Sequence, residues 1–252
     1  ALIISAYSWQ MGYAAIGIFA ILVSIYSFLM VRDPIASLAE NGVTQELEVV
    51  GSTLSQAFRM RKFYVIIVAF MCGTFTYSAL LPQVSSHLID NGINESTAAL
   101  AVSLFAACGM LGKFIFGIMS DKFGPKAAMI LDLYGQSIFA CLLVFAGTSI
   151  PLWLVVPFMG FFLGAFGALT QLLVMESFGV KHFGAIMGVI SIGTAISLFS
   201  GPIIAGLSYD LSESYGPVFF ITAAFFAIGG SSLFLTGKTD SESSLQGNEV
   251  RH

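Results

Sequence analysis

The sequence predicts an all-α, polytopic membrane protein with seven spans, and three observations predict it. Hydrophobic residues make up 57% of the 252 residues and charged residues only 10%, against about 25% charged in a soluble domain. The mean hydropathy is +0.90, and the apolar residues gather in runs of about 20, the length a helix needs to cross a bilayer. The runs do not alternate polar and apolar residues as barrel strands do.

The expected spans are residues 9–31, 63–81, 97–119, 127–147, 152–175, 184–207 and 218–236. The first is uncharged up to Arg32. The connection 32–62 is the longest, and Leu47, Val50, Leu54 and Phe58 recur in it at intervals of three or four. That spacing suits a short amphipathic helix on the membrane face, or a mobile linker with scattered apolar residues. Pro82 is expected to break the second span near its end. The third carries Lys113 and the fourth Asp132. The fifth holds Gly160, Gly164 and Gly167, and the sixth Gly193, Ser197 and Gly201; these stripes of small residues permit close helix packing, or mark hinges. The tail 237–252 is polar, rich in Ser and expected to be disordered.

A short charged segment, GIMSDKFGPK at 117–126, joins the third and fourth spans. So tight a turn makes them antiparallel and holds Asp121, Lys122 and Lys126 at one membrane face. Arg32, Arg59, Arg61, Lys62, Lys122, Lys126, Lys181, Lys238 and Arg251 all follow odd-numbered spans; Lys113, the last of the ten basic residues, lies inside one. The connections around 87–96, 148–151 and 208–217 contain no Lys or Arg. By the positive-inside rule the basic side is cytoplasmic, which puts the N-terminus outside and the C-terminus inside.

Other function classes find little support. The basic residues form no nucleic-acid patch. Cys72, Cys108 and Cys141 lie in apolar runs without CxxC spacing, and His87, His182 and His252 form no metal grouping. No GxSxG, HExxH or paired-carboxylate motif points to an enzyme, and no cofactor or metal is expected. A seven-helix receptor or retinal-type protein fits the span count, but residues 218–236 lack the Lys that a retinal Schiff base needs.

The first and last spans echo each other: Trp9 falls on Tyr215, Phe19 on Phe225, Phe28 on Phe234, Leu29 on Leu235 and Arg32 on Lys238. The echo suggests a duplicated protein in which the first span ends one repeat. The chain opens on Ala1 without a signal-peptide pattern and reads as part of something longer, or as a processed chain.

Gly117, Ser120, Asp121, Lys122, Phe123, Gly124 and Lys126 resemble the signature loop of the major facilitator superfamily, G-x-x-x-D-[RK]-x-G-[RK]-[RK], with Pro125 in place of a basic residue. The run WQMGY at 9–13 resembles that family's entry to its sixth helix. Gly201, Pro202, Gly206, Tyr209, Asp210 and Tyr215 resemble an ending of the eleventh helix found in the monocarboxylate-transporter and oxalate/formate-antiporter branches. The resemblance implies a major-facilitator-type helical bundle. Residues 1–31 would end the N-terminal half, 32–62 form the cytoplasmic central loop, 63–236 the six-helix C-terminal half and 237–252 the cytoplasmic tail. It implies a secondary transporter moving a small solute, such as an organic anion, across the cell's inner or plasma membrane by alternating access. The partners would be that solute, with a coupled proton or counter-anion, the lipid bilayer and the missing N-terminal helices; no nucleic acid is expected.

The resemblance also assigns residues. Gly117, Asp121, Lys122, Gly124 and Lys126 would gate the cytoplasmic side, Asp121 capping a helix N-terminus of the opposite half and Lys126 pairing with Glu176. The alternative is that Asp121 and Lys122 are solvated turn residues. Lys113 stands four residues before Gly117, where the monocarboxylate-type branch has a substrate-binding Arg. Lys grips a carboxylate less specifically than Arg, and the acidic residue of some members one turn earlier is here Gly109. A Lys inside a span costs about 2.5–3.5 kcal/mol on insertion scales and so faces protein or water. Three readings stay open: Lys113 binds substrate, pairs with Asp132 at similar depth (an ion-pair or coupling group), or snorkels to the interface. Tyr77, Gln83, Thr170 and Gln171 are polar groups on expected cavity helices; Tyr77 and Gln171 are the further substrate-binding candidates.

Overall fold

The computed structural model describes residues 9–30, 51–146 and 152–237. The chain divides into two units, Ala1–Glu48 and Val49–His252. In the first, α1 (Trp9–Met30) carries no charged residue. Its 22 residues rise about 33 Å, enough for a hydrocarbon core of about 30 Å.

The second unit comprises α2 (Leu54–Arg59), α3 (Arg61–Leu80), α4 (Gln83–Asp90), α5 (Glu95–Phe123), α6 (Pro125–Leu143), α7 (Leu152–Phe178), α8 (Phe183–Ser212) and α9 (Gly216–Leu233), which a 3-10 turn, Phe234–Thr236, extends. Among the described residues seven helices are long and apolar enough to cross a bilayer: α1, α3 and α5 to α9. Each matches an expected span. α5 and α8 run longer than expected, and Pro157 and Pro202 sit inside α7 and α8; neighbouring helices can satisfy the freed backbone groups in a membrane protein. Pro82 does break the second span: α3 ends at Leu80 and α4 starts immediately after the proline.

The expected turn at 117–126 is tighter than its charge pattern suggests. Residues 117–123 complete α5, and Gly124 alone lies between α5 and α6. Its φ of +83° is open to glycine and strained for other residues, and Pro125 supplies the first φ of α6 without wasting a donor. Asp121 and Lys122 are therefore helical residues in the last turn of α5, not loop residues.

Of the amphipathic helix expected across 32–62, α2 covers the end. It is capped by Thr53, whose hydroxyl accepts from Gln56 N while Gln56 Oε1 accepts from Thr53 N, a reciprocal capping box. Leu47 and Val50 lie outside the described residues, as does the tail 238–252. The stretch before α3 is tied to the end of α7. Ser52 N donates to the Phe178 carbonyl at 2.7 Å, Lys62 Nζ donates to the Ser177 carbonyl, and the ammonium lies 5.2 Å from the Phe178 ring centroid.

Packing places α3 at the centre: most of its residues are buried, whereas α5 and α8 are mostly exposed. α3 packs on α8 and α9, α9 on α6, α6 on α7, and α7 on α5. The small-residue stripes make these contacts close. At Gly201 an added Cβ would meet Ser78 Oγ of α3 at 2.0 Å, and at Gly193 it would meet Met71 and Ile67 at 3.3–3.4 Å. Ser78 Oγ donates to the Phe75 carbonyl at 2.9 Å, with the Ser197 carbonyl 3.4 Å away.

Candidate functional site

The α5–α7 contact shapes the site. A Cβ added to Gly164 would lie 2.2 Å from the Gly109 carbonyl oxygen, and one on Gly160 would lie 2.2 Å from the Phe105 carbonyl oxygen. At Gly112 the clash would be with the Phe161 carbonyl oxygen, at 1.9 Å. The two backbones touch, and the neighbouring positions on α5 turn towards α3. A cavity of about 650 Å³ opens there, lined by residues of α3, α5 and α7. That volume is within the usual range for small-molecule sites, about 300–1,000 Å³. Thr74 and Tyr77 of α3 and Lys113 of α5 are its polar side chains; Phe105 and Phe166 are aromatic walls, and Gly167 is open floor.

The structure thus brings Lys113 and Tyr77 together. Gln171 is exposed on α7, one turn beyond Gly167, and does not line the cavity. Its neighbour Thr170 turns its hydroxyl back to the Gly167 carbonyl at 2.8 Å.

Of the three readings of Lys113, the pair with Asp132 is not formed among the described residues. Lys113 is exposed along the cavity. Asp132 is fully buried, accepts a hydrogen bond from Gln136 Nε2 at 2.6 Å, and has no partner at Oδ1 among the described residues. Similar depth did not bring the two together because successive helical residues turn by about 100°. Asp132 shares its stripe of α6 with Met129, Leu133 and Gln136, all fully buried.

At the basic end, Gly124 and Glu176 are neighbours: Glu176 Oε1 lies 3.6 Å from where a Gly124 Cβ would stand. Lys126 is buried and its Nζ donates to the Gly237 carbonyl, holding α6 to the end of the 3-10 turn. Asp121 and Lys122 are exposed; Lys122 stands at a helix C-terminus, where a cation is favoured. Gly117 has nothing within 4 Å of an added Cβ.

At the opposite end, His87 of α4 is buried. Its Nε2–H donates to the Leu143 carbonyl at 3.2 Å and its ring meets Phe219 edge-on at 4.8 Å. Burial pushes the imidazole pKa down from 6.5, against the Leu143 hydrogen bond and the nearby Asp90 charge, which push it up. Sequence reasoning missed His87, and it missed Thr74, Phe105 and Phe166 of the cavity. The pairing of Gly109 and Gly112 with Gly160 and Gly164 had a readable signal, small residues three or four apart on two spans.

The family model of the Major Facilitator Superfamily matches residues 68–251. The chain belongs to this superfamily. It is a multi-pass integral membrane protein, and the receptor and retinal readings fall away. It is 30% identical over 162 residues to the putative transporter YoaB of Bacillus subtilis, covering 62% of this chain and 38% of that protein. It is 25% identical over 177 residues to monocarboxylate transporter 12 of Xenopus laevis, covering 69% and 37%. It is also 25% identical over 185 residues to the sialic acid transporter NanX of Escherichia coli, covering 70% and 45%. The matched stretch spans less than half the length of each of these relatives.

Proposed function

We propose that this superfamily member is a secondary transporter for a small organic anion, with Lys113 as the cation that holds it. The observation that carries the reading is Lys113 itself, the single charged side chain among the described residues that line a cavity of about 650 Å³. An ammonium there meets a carboxylate against the apolar walls Phe105 and Phe166, with the Tyr77 and Thr74 hydroxyls available to orient the rest of the solute. Two relatives, a monocarboxylate transporter and a sialic acid transporter, are named for organic acids, which supports an anionic solute.

Transport in this reading proceeds by alternating access, two helical halves rocking about a midplane site. The basic end is the cytoplasmic one, because the Lys and Arg excess belongs there. Gly117, Asp121, Lys122, Gly124, Lys126 and Glu176 would close that end against the N-terminal half, and Gln171 would meet solute on its way past Gly167. A coupled proton or counter-anion would drive the cycle.

The test is uptake of labelled monocarboxylates into proteoliposomes containing the full-length product, with and without a pH gradient. Lys113→Gln is expected to cut uptake by at least about tenfold, since a hydrogen bond to a charged group contributes about 1.5–3 kcal/mol. Lys113→Arg should retain most of it. Undiminished uptake by Lys113→Gln would sink the reading.

A further inference from the structure

Asp132 and Gln136 lie one turn apart on α6, and both side chains are fully buried. Asp132 stands seven residues after Pro125, about 10 Å along the helix from the basic end. Gln136 Nε2 donates to Asp132 Oδ2 at 2.6 Å. Two atoms of the pair have no partner among the described residues, Asp132 Oδ1 and Gln136 Oε1. Both are acceptors when Asp132 is ionised. An ionised Asp132 would thus leave two orphaned acceptors and a bare charge inside an apolar bundle, a costly arrangement. One hydrogen supplies what both atoms lack.

We propose that the Asp132–Gln136 pair is a proton-binding site, in which one proton on Asp132 Oδ1 is donated to Gln136 Oε1 and closes a cyclic acid–amide pair. The proton comes from water, and no other bond breaks. The pair is then neutral, with every hydrogen-bonding atom of the ring engaged. This assignment does not depend on what the cavity carries.

Among the described residues, the surroundings offer Asp132 no counter-charge. Along its length α6 packs against α5, α7 and α9, and His87 of α4 meets only its far end, at the Leu143 carbonyl. α9 has no ionisable side chain. Glu176 of α7 lies beside Gly124. On α5, Lys113 and Cys108 line separate hollows, and Glu95, Asp121 and Lys122 stand in the first and last turns. On α6 itself, Lys126 is engaged by the Gly237 carbonyl and Tyr134 by Ser231, while Cys141 is a half-buried free thiol. The donor missing from Oδ1 therefore has to be carried by the acid.

Infrared difference spectroscopy of the full-length protein in lipid tests this directly. Wild type minus Asp132→Asn at neutral pH is expected to show one protonated-acid carbonyl band per chain, shifting in heavy water. Asp132→Asn should fold as wild type does, because its amide replaces the acid in the same two-bond ring. Labelling the Asp carboxyl carbons in wild type reads the same band without any substitution. Gln136→Leu should move the band to the position of an acid with fewer hydrogen bonds. A carboxylate band in place of the acid band would overturn the proposal. So would a band that responds to sodium concentration, which would give the two oxygens to a metal cation.

Discussion

On the α5–α7 side of the bundle backbone meets backbone, whereas on the α3–α6–α9 side side chains fill the glycine notches. Gly109, Gly112, Gly160 and Gly164 admit a facing main chain. Gly73 instead receives the Phe166 ring, Gly135 the Phe162 ring and Gly229 the Cys72 Cβ. The first device draws two helices together and leaves a cavity beside the seam; the second seals the interior. The same contrast separates two ionisable residues of the spans. Lys113 opens on the cavity, and Asp132 is shut in with one amide. Small residues thus serve opposite ends, and what faces each glycine decides which.

The largest effect is expected where that contrast is sharpest. Gly112→Ala would push a Cβ to 1.9 Å from the Phe161 carbonyl oxygen, and a helix backbone cannot turn aside. Overpacking costs about 1–3 kcal/mol, occasionally more, and this site belongs at the upper end. Gly73→Ala meets only the Phe166 ring, at 2.3 Å, and a ring can shift. Gly117→Ala meets nothing within 4 Å and should stay within about 0.5 kcal/mol. Thermal unfolding of the three variants in detergent should rank them in that order. Equal losses at Gly112 and Gly73 would erase the distinction.

A substitution inside the cavity should act on solute and spare the fold. Gly167 lines the cavity with nothing within 4 Å of an added Cβ. Gly167→Leu should leave the unfolding midpoint unchanged and reduce uptake of bulky anions by about tenfold relative to small ones, a selectivity typical of pocket volume. An equal loss for all anions would point to a gating effect instead.

How far these features were legible depends on the kind of information each needs. Span number and order follow from hydropathy, which a bilayer enforces along the whole chain. The break at Pro82 and the close packing at Gly160, Gly164, Gly193 and Gly201 follow from local chemistry; Gly167, read in the same stripe, faces the cavity instead. The partner of a polar side chain needs its direction around the helix, and that is set by packing. A pair with Lys113 was therefore one of the readings open for Asp132, whereas the structure gives it Gln136 four residues along its own helix. The partner of Lys126 shows another gap: the Gly237 carbonyl is 111 residues away, and a backbone acceptor leaves no trace in composition. Cavity walls such as Phe105 and Phe166 look like any other aromatic in an apolar run.

A smaller effect is expected at the hairpin between the two regions. Gly124 joins α5 of the open side to α6 of the sealed side with φ at +83°. Gly124→Ala should cost at least about 1 kcal/mol, mostly backbone strain, because φ +83° with ψ 151° is nearly reserved for glycine; the nearest atom to its Cβ would be Glu176 Oε1 at 3.6 Å, ordinary contact. A shift in the unfolding midpoint as large as that of Gly112→Ala would mean that Glu176 cannot give way.

The smallest effect is a dependence on pH, and it belongs to the sealed side alone. His87 closes α4 over the ends of α6 and α9 through the Leu143 carbonyl and the Phe219 ring. Burial, the leading influence, holds its pKa below 6.5. Once the chain unfolds, the imidazole regains its ordinary affinity for a proton. Below pH 6.5 the unfolded chain therefore binds more protons than the folded one, and stability falls as pH drops through that window. Above it both states are neutral and the contribution is flat. The proton proposed on Asp132 gives wild type and His87→Gln the same slope of opposite sign, so the difference between their unfolding midpoints in detergent isolates His87. Wild type should lose ground to His87→Gln, which keeps a donor for Leu143 but does not titrate, as pH drops through 6.5. Midpoints that run parallel across that window would mean that the burial of His87 has no consequence for the pH response of the bundle.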